Sequence, residues 1–398
     1  MFSLDNFYLI LYNNLLRPSN INSYGFFMPF GSINQDDFSP IMLNSFNQRI
    51  IEDFDQDTVN KTMFFDQEPL FDFTLHGWNS QVLSTFIHSR RMEKFFANSE
   101  ISQVKNEFCK EFKFYDWYYF FHGFAALDWF RDYKYITPLF ERPFTKVFIS
   151  LNNLILNYRS YRITLVANYL EKDILDRGLV SFKVPSDINI IKDEVFNKNS
   201  LLSKNSKALI IKHIDRLKTS LVADSDKISG INSAKLNINL ETSALWNVVS
   251  ETIFYHDKLH LTEKIFKPIV ACRPFILVGA VGNLEYLKSY GFKTFDKWID
   301  ESYDKEPDPD KRIDKITNEL QKLCKLSMSD LKQMEKEMKD VLEFNFYHFY
   351  GKFKEIIVNE LVDNFHDCAV QSSNGMWGEN KVLNSAVDYD AVKKLLMS

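Results

Sequence analysis

A strand, a helix and a second strand follow one another from about residue 145, and this pattern constrains the fold most. The apolar run KVFISLNN (146–153) precedes the helical stretch YRSYRITLVANYLEKDIL (158–175), which precedes a second apolar run, LVSFKV (179–184). A helical connection of this length joins parallel strands through a crossover. The pattern therefore predicts an α/β domain with an open parallel sheet.

The alternation continues downstream. ALWNVVSETIF (244–254) and PFILVG (274–279) have the apolar character of buried strands, and TEKIFKPIVACR (262–273) and GNLEYLKSYG (282–291) have that of helices. A long amphipathic helical region then extends to about residue 362. We assign residues 145–345 to this domain.

Residues 1–144 also alternate between short apolar runs and helical stretches. We expect a first buried strand in FYLILY, a strand running into a turn in MFFDQEPLF (63–71), and a strand in FKFYDWYYFF (112–121). Helical spacing extends over 81–99 and 124–135. The prediction is an N-terminal α/β domain over 1–144 and a C-terminal helical segment with a tail over 346–398.

Charge and cysteine usage narrow the class of protein. Lys and Arg number 48 against 53 Asp and Glu, so the formal charge of -5 provides no general basic field for nucleic acid. The four cysteines form no CxxC pair, which favours reduced thiols in a cytoplasmic protein. The apolar N-terminal run is too short for a signal peptide or membrane span.

Polar residues that follow strands are candidate ligand contacts, because open α/β sheets bind ligands at the carboxyl ends of their strands. Asn152 ends the first strand, and Arg159 and Arg162 follow near the start of the next helix. Three residues apart on a helix, two guanidinium groups share a face and can grip a diphosphate. A pair of solvated surface arginines fits the same spacing.

A second polar group lies in SETIFYHDKLHLTEK. Ser250 and Glu251 end a strand, and Thr262 can cap a helix whose first turn holds Glu263 and Lys264. A carboxylate there can accept hydrogen bonds from ribose hydroxyls while Lys264 faces phosphate. By spacing alone, T-E-K is only a helix start.

The stretch SETIFYHDKLHLTEKIFKPIVACRPFILVG resembles the donor-binding motif of the alpha-1,3-fucosyltransferases. Together with KVFISLNN, YRSYR, GLVSFKV and FYDWYYFFHGFAALDWFRDYKY, it is similar to glycosyltransferases encoded by tailed phages and some bacteria. The resemblance implies a GT-B-like fold, with two Rossmann-like α/β domains facing each other across a cleft. No stretch matches the fucosyltransferase acceptor domain, and the loop HDKLH departs from that family, so fucose is not implied.

Residue by residue, the resemblance implies that Glu251, Thr262, Glu263 and Lys264 contact the nucleotide part of a nucleotide-sugar. Arg159 takes the role of the family's phosphate-binding basic residue. The nucleotide-sugar is then a co-substrate, and no further cofactor is expected.

Carboxylates of the first domain are candidates for the base that takes the proton of an attacking acceptor hydroxyl. Asp66 and Glu68 stand at a strand end in FFDQEPL, although capping of the following turn is an equally ordinary role. His122 and Asp128, in HGFAALDWFRDY, are candidates for the acceptor pocket. A helical aromatic stripe of this kind is also typical of a core.

Metal-dependent transfer is the less favoured mechanism. His256, Asp257 and His260 have tolerable ligand spacing but suit a solvated loop better, and the DxD-like strings fall in polar turns. The resulting prediction is a metal-independent glycosyltransferase acting on a glycan or another hydroxyl polymer. Two alternatives stay open: a phage DNA-modification enzyme acting on hydroxymethylated pyrimidines, and a non-catalytic nucleotide- or carbohydrate-binding protein.

Overall fold

The chain divides into two compact units, Met1–Arg131 with Lys352–Ser398, and Asp132–Gly351. The structure is a computed structural model. It describes residues 3–19, 21, 23–27, 41–43, 62–67, 94–103, 106–107, 114–135, 142–184, 189–218, 220–221, 234–255, 258–373 and 387–398.

The first unit contains a parallel sheet of five strands, β1 (Ser23–Phe27), β2 (Ile41–Leu43), β3 (Thr62–Asp66), β4 (Lys94–Asn98) and β5 (Phe114–Tyr118). Their order across the sheet is β2-β1-β3-β4-β5. The next strand in the chain, β2, lies on one side of β1, and β3 lies on the other side. The topological switch point is therefore between β1 and β3.

The second unit contains a parallel sheet of four strands, β6 (Lys146–Asn152), β7 (Gly178–Phe182), β8 (Ala244–Ser250) and β9 (Phe275–Val278). Their order is β7-β6-β8-β9, which puts the switch point between β6 and β8. Every residue of β8, an inner strand, and of β9, at the edge of the sheet, is buried.

Both units also contain helices. Those of the described residues are, in chain order, α1 (Leu4–Leu11), α2 (Phe121–Trp129), α3 (Tyr161–Glu171), α4 (Asn189–Phe196), α5 (Lys204–Lys212), α6 (Ile214–Leu217), α7 (Ile238–Glu241), α8 (Phe266–Val270), α9 (Asn283–Ser289), α10 (Pro309–Cys324), α11 (Met328–Tyr350), α12 (Lys352–Ser373) and α13 (Tyr389–Met397). None of these helices combines the length and the apolar character that a membrane crossing requires.

The α/β class and the parallel sheets agree with the prediction, but the division of the chain differs from the predicted one. The structure separates the units after Arg131 and again after Gly351, rather than after residues 144 and 345. The C-terminal segment groups with the first unit because α12 packs on β5. The rings of Trp117 and Phe365 meet edge to face at 5.4 Å, and Asn364 Nδ2 donates to the Tyr118 carbonyl at 3.0 Å.

Two elements of the first unit were predicted wrongly. FYLILY is helical: its first five residues lie in α1, and Tyr12 begins the π-helical turn that follows. The buried residues Phe7 and Leu11 of α1 are four apart, and the Ser3 hydroxyl caps this helix by accepting from the Asn6 N–H. The end of the predicted helix 81–99 is strand β4, while 81–93 lie outside the described residues. A short apolar run has no clear hydrophobic period, so its sequence alone does not distinguish a buried helix from a buried strand.

Candidate functional site

The carboxyl ends of β6 and β8 meet at the switch point of the second sheet. We call this region, residues 150–152, 250–255 and 258–264, the switch edge. The Ser250 hydroxyl donates to Asn152 Oδ1 at 3.0 Å, and Asn152 Nδ2 donates to the Ser150 hydroxyl at 3.0 Å. These three side chains are buried, so they hold the two strand ends together rather than present polar groups to solvent.

Glu251 is the buried acid of the switch edge. The Thr262 N–H donates to both of its carboxylate oxygens at 3.2 Å, and the Thr262 hydroxyl donates to Oε2 at 2.5 Å. Burial raises the pKa of the Glu251 carboxyl, while the Lys264 ammonium and the Thr262 hydrogen bonds act in the opposite direction. Glu251 thus fixes where the chain re-enters the site at Thr262.

Lys264 stands in the turn that Thr262 begins, a 3-10 turn over Glu263–Ile265. Its Nζ donates to the Thr262 hydroxyl oxygen at 3.2 Å and to Glu263 Oε1 at 3.1 Å. The Lys264 side chain is 34% exposed, whereas that of Glu263 is fully buried. The ammonium of Lys264 is therefore the part of this turn that solvent or a ligand reaches.

The two arginines do not share a helix face, contrary to the prediction. Arg159 ends a 3-10 turn that begins at Asn157, a residue with φ of 57°, and its guanidinium lies 4.6 Å from the ring centre of Tyr158. Arg162 belongs to α3, is buried, and donates to main-chain carbonyls. The change of helix type between the two positions turns one side chain outward and the other inward.

Tyr161 and Asn283 belong to the site but were not predicted there. The Tyr161 hydroxyl donates to the Glu251 carbonyl at 2.6 Å, and its ring stacks on Phe254 at 4.3 Å. The Asn283 amide donates to the His260 carbonyl and accepts from the His260 N–H, both at 3.2 Å. An Asn at a helix start is a common capping residue, and nothing local in the sequence marks a partner 23 residues away.

The first sheet also carries buried polar groups at its carboxyl edge. Asp66 ends β3 next to the switch point, and its carbonyl accepts from the Tyr119 hydroxyl at 3.1 Å. The Tyr8 hydroxyl lies 3.4 Å from that of Tyr119 and accepts from Gln67 Nε2 at 2.8 Å. Burial raises the pKa of both tyrosines, so their hydroxyls stay protonated and able to donate.

Sequence reasoning overlooked the end of β4, where polar groups are buried in a connected cluster. Asn98 Nδ2 donates to Asp116 Oδ2 at 3.2 Å, and Asn98 Oδ1 accepts from the Glu100 N–H at 3.3 Å. The Ser102 hydroxyl in turn donates to the Glu100 carboxylate. Register alignment puts Phe65 of β3 beside Ala97 of β4, so Asp66 and Asn98 follow side by side.

The remaining predicted residues of the first unit are placed as follows. His122 is buried in α2, with its ring 5.0 Å from that of Phe121 in an edge-to-face contact. Asp128, six residues further along α2, is half-buried and ion-paired with Arg131. The structure does not bring His122 and Asp128 together on one helix face, and Glu68 lies outside the described residues.

Within the ranges that the structure describes, no group of three His, Cys, Asp or Glu side chains is arranged to hold a metal ion. His260 is buried rather than solvated, while His256 and Asp257 lie outside those ranges. No protein-family model matches the chain, and no curated protein matches it either. The functional proposal therefore rests on the geometry of the two sheet edges.

Proposed function

We propose that this chain is a glycosyltransferase that moves a sugar from a nucleotide-sugar donor to a hydroxyl acceptor, with the donor diphosphate bound at the switch edge. The observation that carries the proposal is the partly exposed Lys264 ammonium, held beside Thr262 at the carboxyl edge of a parallel sheet. Open α/β sheets bind nucleotides at this location.

Lys264 supplies the charge that a diphosphate requires. Two of its three N–H donors contact Thr262 and Glu263, which leaves one donor for a phosphate oxygen. Arg159 is half-buried on the turn after β6 and is the second cation of the proposal. The role of Glu263 in this proposal differs from the predicted ribose contact. Because its side chain is fully buried, we assign it as the ion-pair partner of Lys264.

The transfer step needs a base on the acceptor side. Of the two candidate carboxylates of the first unit, Glu68 and Asp66, the proposal favours Glu68, because Asp66 is fully buried. This carboxylate takes the proton from the acceptor hydroxyl as the new C–O bond forms at the sugar's anomeric carbon. The bond from that carbon to the diphosphate oxygen breaks, and the nucleoside diphosphate leaves with its electron pair. A metal-independent reaction and a GT-B-like pairing of the two units are parts of this proposal.

Nucleotide binding to full-length protein tests the donor site. In titration calorimetry with UDP, GDP and the corresponding nucleosides, we expect Lys264→Met to weaken diphosphate binding about tenfold or more, because a tenfold change is about 1.4 kcal/mol and one charged contact is worth that much. Nucleoside binding should not change.

Lys288→Met is the matched control. Lys288 has the same 34% side-chain exposure and also pairs with a carboxylate, that of Glu301 at 3.2 Å, but it lies near the end of α9. Equal losses in the two variants, or no binding of either nucleotide to the wild-type chain, would contradict the proposal.

A further inference from the structure

Arg162 has an unusual set of partners for an arginine near a helix start. Its Nη2 donates to the Ser250 carbonyl at 2.9 Å and to the Glu251 carbonyl at 3.1 Å, and its Nη1 donates to the Leu154 carbonyl at 2.8 Å. The side chain is buried, with 4% of the residue exposed. One planar group thus joins the chain segments that leave β6 and β8 on the two sides of the switch point.

Tyr161 reinforces the same point of the chain. Its hydroxyl donates to the Glu251 carbonyl, which therefore accepts from two neighbouring residues of α3. The hydroxyl is also 3.3 Å from Arg162 Nε, which donates to it. Together the two side chains fix the main chain at the residue where β8 ends.

A continuous path of hydrogen bonds runs from this main-chain position to Lys264. The Glu251 carboxylate accepts from the Thr262 N–H and hydroxyl, and the oxygen of that hydroxyl accepts from Lys264 Nζ. A hydroxyl has one hydrogen to donate and two lone pairs to accept with. Because Thr262 gives its hydrogen to Glu251, its lone pairs accept from the Lys264 ammonium and from the Lys264 main-chain N–H.

We propose that Arg162 is a positioning residue that sets the direction of the Lys264 ammonium through Glu251 and Thr262, instead of binding phosphate itself. The significance of that direction for diphosphate binding rests on the proposed function. The positioning itself does not depend on the proposed function, because every hydrogen bond of the path joins two residues of the second unit.

The alternative is that Arg162 only stabilises the unit, and Arg273 separates the two possibilities. Arg273 is a buried arginine of the same unit that donates to the Thr242 carbonyl just before β8 and to the Arg142 carbonyl. It thus joins chain segments at the amino edge of the sheet as Arg162 does at the carboxyl edge. Its loss should lower stability without reaching Lys264.

The first measurement needs no nucleotide. Full-length wild type, Arg162→Gln and Arg273→Gln are pulsed with formaldehyde and cyanoborohydride, and methylation of individual lysines is followed by peptide mass spectrometry. We expect Lys264 to react about threefold faster or more in Arg162→Gln, since an amine released from its hydrogen bonds becomes accessible. Arg273→Gln should leave the Lys264 rate unchanged relative to Lys288.

Tyr161→Phe serves if Arg162→Gln does not fold, since it removes one hydroxyl and keeps the ring that stacks on Phe254. It should accelerate Lys264 methylation in the same direction and to a smaller extent. Unchanged Lys264 rates in both variants, or an equal rise in Arg273→Gln, would overturn the positioning role.

UDP and GDP titrations then separate the two proposals. Weaker diphosphate binding in Arg162→Gln, with the wild-type affinity in Arg273→Gln, supports the positioning role at a working donor site. If wild type binds neither nucleotide but Lys264 is still released in Arg162→Gln, the donor site is refuted and the positioning role stands. If wild type binds and Arg162→Gln binds equally well with an unchanged Lys264 methylation rate, the positioning role is refuted and the donor site stands.

Discussion

The hydroxyl of Thr262 is the most informative single group to remove. Valine has the same branched shape, so Thr262→Val deletes the 2.5 Å hydrogen bond to Glu251 and the acceptor for Lys264 while leaving no large cavity. The Thr262 N–H still donates to the carboxylate. The variant therefore isolates the contribution of one hydroxyl to a buried acid.

The expected loss follows from the type of bond. A hydrogen bond to an ionised group contributes about 1.5–3 kcal/mol, and the loss of a helix-start cap contributes about 1 kcal/mol. The same hydroxyl does both, but the cap bond from the Lys264 N–H is long at 3.4 Å and contributes less than a full cap, so we expect a total of about 2–3 kcal/mol near neutral pH. For a unit of this size each kcal/mol lowers Tm by about 2–4 °C, which gives a decrease of roughly 5–10 °C.

The pH dependence of this loss has a definite sign. Burial holds the pKa of Glu251 above its ordinary value of 4.5, and loss of the Thr262 hydroxyl raises it further. A carboxyl with a higher pKa in the folded state lowers stability where it is ionised, at pH above its folded pKa. This cost disappears as pH falls below the unfolded value. The effect of Thr262→Val should therefore be largest at alkaline pH and shrink on acidification.

Calorimetric unfolding of the full chain at about pH 8 and about pH 5 measures this difference. Thr317→Val is the control, because Thr317 is buried in α10 and donates to the neutral carbonyls of Ile313 at 2.9 Å and Asp314 at 3.1 Å. Its loss should be smaller, about 1 kcal/mol, and independent of pH. Equal and pH-independent losses in the two variants would refute the reasoning.

Three further results are expected. Gly178→Ala should lower Tm, because a Cβ there would lie 2.4 Å from the Phe148 ring, and Phe148→Leu in the same chain should restore part of the loss. Asp304→Ala should cost about 1–2 kcal/mol in denaturant unfolding, since its carboxylate accepts from two N–H groups at the start of α9. Burial raises the pKa of Cys324 to about 11 and also raises that of Cys368, so iodoacetamide at neutral pH should label neither by peptide mass spectrometry until the chain is unfolded.

The order of elements in the second unit was readable from the sequence. The predicted strand 146–153 corresponds to β6, and the predicted strand 179–184 overlaps β7, because buried strands and amphipathic helices impose different local periods on the sequence. The positions of Asn152 and Ser250 at strand ends followed from the same local pattern. Parallel pairing then followed from the helical connection between strands.

The environment of each site residue was decided only by tertiary structure. Arg162 lies 88 residues from Ser250 in the sequence, and no local period encodes that contact. Helical spacing predicted that Arg159 and Arg162 share a face, but a 3-10 turn before α3 separates them. Glu263 looks solvent-exposed in a T-E-K helix start, yet it is fully buried beside Lys264.

The physical reason is the distance along the chain over which each kind of information acts. The sequence by itself determined which segments bury apolar surface and therefore the α/β class, since that information lies within a few residues of each position. Only the packed chain determined where buried polar groups find their partners, because each must be satisfied by whichever distant segment approaches it. For that reason Arg162, predicted to bind phosphate, instead donates to three main-chain carbonyls, two of them in the switch edge.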